Sequence, residues 1–427
     1  MQRKSLITVL IVFKFCLLFG QVYSDKKTQH RFAQTYIGLN TQLIPSSGRI
    51  IFKNKKYNFP TNAIPRLNIG GLHFWGKWDF NMNIPLKSLA DKSISQGAKI
   101  HFSSGADLSA RYYPWPLLDK KFRPFVGLSF NTMQLSLENI NIGKRVEGFI
   151  TSSLLTGFSY SYKGWQVNTE WMFLPQNGRN FYSNLEQKHQ YKLPDSYFSI
   201  GIVKPFDFTL SEEKPKLSGK TKAIEELLIK NGKLNSFSIG IAANGSYFFK
   251  SPPFSDELRS LPRHKGSFNM EYSLGYFLHK QRIHLGLTYR TYRSNSVSYN
   301  LEHVIRRRAI SLEGFKFIWN YNGFVPFIGI SLSSEKWATG LFLNDKQQGK
   351  TSRSNMFSPG LIFGWDISPS SIDTWVLRTN LRYYPYQKIN DGVSDKIRVD
   401  QFEFNFIQFV FYPDRWWHVR KARRKIK

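Results

Sequence analysis

The chain carries 427 residues, with 60 Lys and Arg against 29 Asp and Glu, a net charge of +31 and a single cysteine. An aromatic fraction of 16% excludes a disordered basic protein, because such chains lack the ring area that offsets the entropy of ordering. The mean hydropathy of −0.37 beside so many rings means that apolar residues are interleaved with polar ones. No stretch after Ser24 reaches the ~18 consecutive apolar residues of a membrane helix.

The amino terminus opens on Arg3 and Lys4, followed by residues 6–20, apolar apart from Thr8 and Lys14. Val22 and Ser24 then stand where a signal peptidase accepts small or modest side chains. Residues 1–24 therefore read as a cleaved secretory signal peptide. Cleavage after Ser24 removes Arg3, Lys4, Lys14 and Cys16, and leaves 403 residues with 57 basic side chains and a net charge of +28. Without cysteine, stability must come from burial and backbone pairing alone.

Along the mature chain the dominant signal is alternation. Strands are predicted over 33–43, 67–86, 98–113, 123–136, 148–162, 164–174, 196–204, 235–249, 267–279, 281–292, 308–320, 323–333, 356–366, 374–384 and 401–412. Residues 49–59 and 336–343 are candidates for one more. In the second of these strands Leu72, Phe74, Trp78, Phe80, Met82 and Ile84 alternate with His73, Lys77, Asp79, Asn81 and Asn83, as side chains on opposite faces of a strand do. Lys280 and Gln281 separate two further alternating runs, which predicts a hairpin. One helix is predicted, over 221–232, inside an insertion at 204–235, with its apolar stripe docked on the end of the sheet. Two short echoes recur: Arg111-Tyr112-Tyr113-Pro114 returns at Arg382-Tyr383-Tyr384-Pro385, and Pro124-Phe125-Val126-Gly127 at Pro326-Phe327-Ile328-Gly329. Equivalent positions relative to a membrane edge would produce both.

The polar faces of these strands carry charge: Lys77, Asp79, Lys99, Asp107, Arg111, Glu170, Glu271, Arg282, Arg290, Arg378 and Arg382. A dry sandwich core would tolerate them only if all were paired, whereas a barrel lumen accepts them more readily. The fold class is therefore all-β: a transmembrane antiparallel up-and-down β-barrel over 25–412, with about 14 strands and 12 to 16 acceptable. The cations would make the lumen basic and favour anions; the carboxylates on the same face would instead plug it by pairing.

The signal peptide, the opening Tyr36-Ile37-Gly38-Leu39, the segment at 123–130 and the aromatic-rich strand at 402–412 together resemble bacterial outer-membrane β-barrel proteins, in a style similar to barrels of the Bacteroidota. The resemblance implies residence in the bacterial outer membrane and insertion by the barrel-assembly machinery, which reads an aromatic-rich last strand. Fifteen residues follow Tyr412, and the aromatic phase slips between Phe406 and Ile407, which predicts a bulge.

A pI near 10.0 would ordinarily suggest nucleic acid, but export directs the charge to lipid phosphates instead. The basic tail at 413–427 carries Trp416, Trp417, Arg420, Lys421, Arg423 and Arg424, a composition suited to a membrane rim or to a solvated end. Arg306, Arg307 and Arg308 read as a solvated strand edge. No phosphate loop, metal-spaced histidine pair or nucleophile elbow is present in the sequence, so no cofactor is expected. His101 and Ser103 fall on one side of a strand, by phase the polar side, in a spacing that faintly resembles the His-x-Ser of outer-membrane phospholipases. The leading reading is a non-catalytic outer-membrane barrel, serving as a passive channel or a structural part of the envelope. A lipid-modifying membrane enzyme and a secreted soluble β-rich binding protein are the alternatives.

Overall fold

The computed structural model describes residues 29–426 apart from 53–54, 60, 87–91, 95–97, 118–119, 140–142, 176–177, 183–187, 211–218, 249–260, 263, 265, 322, 369, 386–387, 391–395 and 399. The segment read as a signal peptide lies outside the described residues. Eight long strands come first: β1 (Gln29–Ile44), β2 (Asn62–His73), β3 (Trp78–Pro85), β4 (Ala98–Tyr112), β5 (Phe122–Asn139), β6 (Gly143–Tyr162), β7 (Trp165–Phe173) and β8 (Ser196–Leu210). Helix α1 (Gly219–Lys230) follows. Eight more strands come next: β9 (Ser236–Phe248), β10 (Gly266–Leu278), β11 (Ile283–Ser298), β12 (Leu301–Phe317), β13 (Phe324–Leu343), β14 (Lys346–Ile367), β15 (Trp375–Tyr384) and β16 (Gln401–Phe411). Helix α2 (Pro413–Lys425) ends the chain.

Each set of eight closes on itself. In the first, consecutive strands pair antiparallel from β1 to β8, and β8 returns to β1 with Leu39 opposite Ile202. In the second, β16 returns to β9 with Ile241 opposite Phe409. The all-β up-and-down barrel thus stands, and its sixteen strands fall within the expected range. They form two rings, however, where one barrel over 25–412 was expected. Alternation reveals which face of a strand is apolar; it carries no information about which distant strand its free edge will meet. Residues 204–210 of the predicted insertion belong to β8, and α1 stands in sequence between the last strand of the first ring and the first strand of the second.

The predicted strand 67–86 is two strands around a turn at 74–77, where Phe74, Trp75 and Gly76 have φ of 52°, 59° and 78°. Positive φ is strained for aromatic residues, and these two are held by contacts to the other ring: Phe74 packs on Phe324 (5.2 Å) and Trp75 meets Tyr321 edge-on (6.2 Å). Alternation ran through this turn because its aromatics serve the seam. The outward residues of β2 and β15, such as Leu67, Ile69, Leu377 and Leu381, are half-buried, whereas Leu154 on β6 and Ile330 on β13 are 55% and 68% exposed. Trp365 of β14 completes the seam against Phe80 (5.9 Å) and His73 (6.3 Å). A second contact joins β6 to β11, where Val146 bridges Val297 and Arg145 donates to Ser298 Oγ at 3.0 Å.

The two rings share a construction. Pro124-Phe125 and Pro326-Phe327 occupy the same offset in β5 and β13, the fifth strand of each ring. Phe125 faces Gly157 and Phe327 faces Gly364. A Cβ on either glycine would lie 2.6 or 2.7 Å from the facing ring, so only glycine admits that inward phenylalanine. The Arg-Tyr-Tyr-Pro echo has no such equivalence: Arg111 ends the fourth strand of its ring and Arg382 the seventh, and these strands run in opposite directions. The phase slip expected in the last strand is a bulge, with Phe406 and Ile407 opposite Ala243 on one side and Thr379 on the other.

The connections at 74–77, 163–164 and 279–282 lie at one end of the two rings, the short-turn end. At the opposite mouth of the first ring, four short strands (Arg49–Phe52, Lys55–Asn58, Gly178–Tyr182 and Lys188–Lys192) form a separate sheet. The candidate at 49–59 belongs to this sheet, and the one at 336–343 to β13. Ile50, Phe59 and Tyr191 from this cap region bury themselves against Phe102, Met133 and Tyr197, with Phe59 stacked on Phe102 at 5.3 Å. The cap closes that mouth with apolar side chains.

Candidate functional site: two ion-paired lumens and a basal cavity

An eight-stranded ring encloses a space that side chains alone can fill. In the first ring Arg111 on β4 donates to Asp79 on β3 (2.9 Å) and to Glu170 on β7. Tyr36 donates to the same Asp79 at 2.6 Å. Arg66 pairs with Asp107, which also accepts from Asn83 Nδ2 at 2.7 Å. In the second ring Glu403 on β16 takes both Arg290 from β11 and Arg307 from β12, the strand diametrically opposite. Arg382 on β15 reaches Glu271 on β10 (2.9 Å) and Glu313 on β12 (2.6 Å). Arg378 binds Asp366 through two bonds of 2.7 and 2.9 Å. Ion pairs between opposite walls meet in the middle, so both lumens are crossed by side chains.

Of the charges assigned to a lumen from sequence, Asp79, Asp107, Arg111, Glu170, Glu271, Arg290, Arg378 and Arg382 are buried inside the rings. They divide between two lumens where one was expected. Lys77 and Arg282 do not belong there: both sit in turns at the short-turn end, Arg282 with φ 56°. Lys99 lies in β4, with its side chain outside the described ones. Sequence reading missed Arg66, Arg307, Glu313, Glu335, Asp366 and Glu403. Glu403 carried a signal, since Gln401, Glu403 and Asn405 alternate with Phe402, Phe404 and Phe406. Arg307 was misread as solvated because β12 begins at Leu301, well before the predicted start; its neighbours Arg306 and Arg308 are exposed while Arg307 is buried.

His101 and Ser103 also change sides. Gly105 and Ala106 bulge opposite Thr132, so the phase flips: Phe102 and Ser104 are buried inside, and His101 and Ser103 face outward. A different pair has nucleophile–base spacing, Ser238 Oγ and His284 Nε2 at 2.9 Å. Both are buried in the second lumen, with His284 stacked on Phe315 at 4.8 Å.

The basic tail folds as α2 instead of trailing into solvent. Pro413 suits the first helical position, and the basic residues Arg423, Arg424 and Lys425 suit the negative end of the helix dipole. Val419 and Ala422 pack with Ile224 and Leu228 of α1, and with Leu234 and Ile372, at the short-turn end of the second ring. The α1 stripe is thus docked as predicted. Trp417 is 60% exposed, Trp416 carries Arg420 over its ring at 5.3 Å, and Lys421, Arg423 and Arg424 are exposed.

Beneath these helices the end of the second ring holds a cavity of about 730 Å³, walled by Phe277, Phe317, Val325, Val376 and Tyr412, with Arg282 and Arg415 among its polar groups. Arg415 is buried, donates from Nε to Ser236 Oγ (3.1 Å) and from Nη1 to the Asp373 carbonyl (2.9 Å), and lies over the Tyr412 ring at 4.0 Å. Burial pushes the Asp373 carboxyl up to about 7, although Oδ2 accepts from the Ser370 amide at 2.7 Å.

Lipid-compatible apolar side chains cover the outside of both rings: Leu128, Phe130, Leu154 and Phe158 on the first, Leu285, Leu287, Ile328 and Ile330 on the second, all about half exposed or more. Closed rings satisfy their own backbone groups, which hydrocarbon requires, and their polar interiors complete the inside-out arrangement. This defines an integral membrane β-barrel protein. No protein-family model and no curated protein sequence matches the chain. Among solved structures, it is similar to Neisserial surface protein A, at 15% identity and a TM-score of 0.28 over 42% of this chain and 97% of that one. It is similar to Ail, the attachment invasion locus protein of Yersinia pestis, at 12% identity and a TM-score of 0.28 over 42% of this chain and 96% of that one. OmpT, an outer membrane protein of Vibrio cholerae, aligns over 90% of this chain and 99% of its own, at 9% identity and a TM-score of 0.18.

Proposed function

We propose that this protein is a non-catalytic, non-conducting structural component of the bacterial envelope, a pair of membrane-embedded plugs that hold the α1–α2 platform at the short-turn end. The observation that carries this reading is the ion pairing across each lumen, above all Glu403 joined to Arg290 and Arg307 from far walls. A passive anion channel needs unpaired cations along a water path, and here Arg66, Arg111, Arg290, Arg307, Arg378 and Arg382 are spent on carboxylates, while Arg123 donates to the Gly76 carbonyl and lies over the Tyr113 ring. Purified protein in planar bilayers is expected to give no ohmic conductance steps. Steady steps with a defined reversal potential across a salt gradient would return the channel reading to first place.

The exposed basic residues of α2 support contact with lipid phosphates, each contributing about 1 kcal/mol near an anionic surface. Exchanging Arg420, Lys421, Arg423 and Arg424 for glutamine should reduce binding of anionic-lipid headgroups by the reconstituted protein at low salt, with the difference vanishing at high salt. Equal binding at low salt would separate the tail from the lipid. Insertion by the barrel-assembly machinery belongs to the same proposal, with β16 as the aromatic-rich last strand.

A further inference from the structure

We propose that the basal cavity of the second ring binds a single-chain amphiphile with an anionic head, the head on Arg415 and the chain along Phe277, Phe317, Val325 and Val376. The cavity, about 730 Å³, falls within the ~300–1,000 Å³ typical of small-molecule sites. It borders the ionic layers of the lumen at Asp366, whose carboxylate is bound by Arg378; the Arg378 guanidinium lies over the Phe315 ring at 4.8 Å, and Phe315 stacks on Phe327 at 4.2 Å.

The head chemistry follows from Arg415. Its residue is only 3% exposed, and its Nη2 donates to no acceptor among the described residues. A buried guanidinium nitrogen without an acceptor is costly, so an acceptor is missing. The nearby carboxylates are committed elsewhere: Asp366 to Arg378, Asp414 to the Phe237 amide at 2.8 Å, and Glu225 to Ser371. Asp373 meets Arg415 through its carbonyl, not its carboxyl. Arg282 at the turn adds a second positive charge to the cavity lining. Tail chemistry follows from the walls, which Phe277, Phe317, Val325 and Val376 make apolar. A carboxylate and a phosphate monoester share the required head chemistry.

The test is native mass spectrometry of the full-length protein in a non-ionic detergent, titrated separately with dodecyl phosphate, dodecanoate, dodecyltrimethylammonium and inorganic phosphate. One saturable 1:1 adduct with either or both anionic amphiphiles is expected, and which of them binds identifies the source of the head. The cationic amphiphile should bind about tenfold more weakly or worse, in line with loss of a charge-assisted hydrogen bond. Arg415→Gln should abolish the adduct. Because Arg415 also ties α2 to Ser236, Arg282→Gln serves as the second variant, expected to weaken binding severalfold with gel mobility of the folded barrel unchanged. No saturable adduct, equal binding of the cationic amphiphile, equal binding of inorganic phosphate, or wild-type binding by a folded Arg282→Gln protein would each overturn the assignment.

Discussion

Glu403→Ala is expected to destabilise the second ring by on the order of 3–5 kcal/mol, the scale for removing one partner of a buried ion pair. The size of the effect comes from the arrangement: one carboxylate serves Arg290 and Arg307, which reach it from different strands and are themselves fully buried. Truncation leaves Arg290 with the hydroxyls of Ser311 and Ser333 and the ring of Tyr384 at 5.0 Å. Arg307 keeps Glu335 at 3.7 Å, so Arg290 bears most of the loss. Replacement by glutamine retains one acceptor and should cost less. The measurement is the urea midpoint of the lipid-reconstituted protein, followed by the mobility difference between heated and unheated samples. An unchanged midpoint for Glu403→Ala would mean that the lumen is wet enough to rehydrate both arginines, and would weaken the sealed-lumen reading with it.

The same geometry explains how far the sequence could be read. Facing was legible wherever a strand ran without interruption. Asp79, Asn81 and Asn83 point inward and Trp78 and Phe80 outward because two-residue alternation is a property of the extended backbone itself. The bulge at Phe406–Ile407 was legible for the same reason, as a break in that phase. At His101 and Ser103 the facing was misread because Gly105 and Ala106 give no apolar or polar signal when the phase changes. Phe74 and Trp75 concealed a turn, since their apolar character answers to the neighbouring ring and not to their own strand. Closure was the deepest loss. Leu39 and Ile202 look the same whether β1 ends beside β8 or beside β16, because main-chain hydrogen bonds do not depend on the side chains they carry. The Pro-Phe echo in the fifth strand of each ring was the one local trace of the doubled plan, and its meaning appears only beside Gly157 and Gly364. Arg415 was equally hidden: its isolation depends on α2 folding over the ring, which the tail's basic composition did not foretell.

Two closed rings are the central claim, and cysteine pairs across the closing seams test it most directly. Residues directly opposite in an antiparallel pair have Cα atoms roughly 4.5–5.5 Å apart, inside the ~4.4–6.8 Å that a disulfide spans. The one native cysteine, Cys16, lies in the segment read as the signal peptide, so the background should be low. Leu39→Cys with Ile202→Cys probes the first seam and Ile241→Cys with Phe409→Cys the second, each pair in register. Oxidation of the protein in membranes is expected to form an internal disulfide in both double variants, seen as a mobility shift reversed by reductant. No disulfide in either pair, together with crosslinking of a cysteine at position 39 to one in β16, would contradict two rings and restore a single sixteen-stranded barrel.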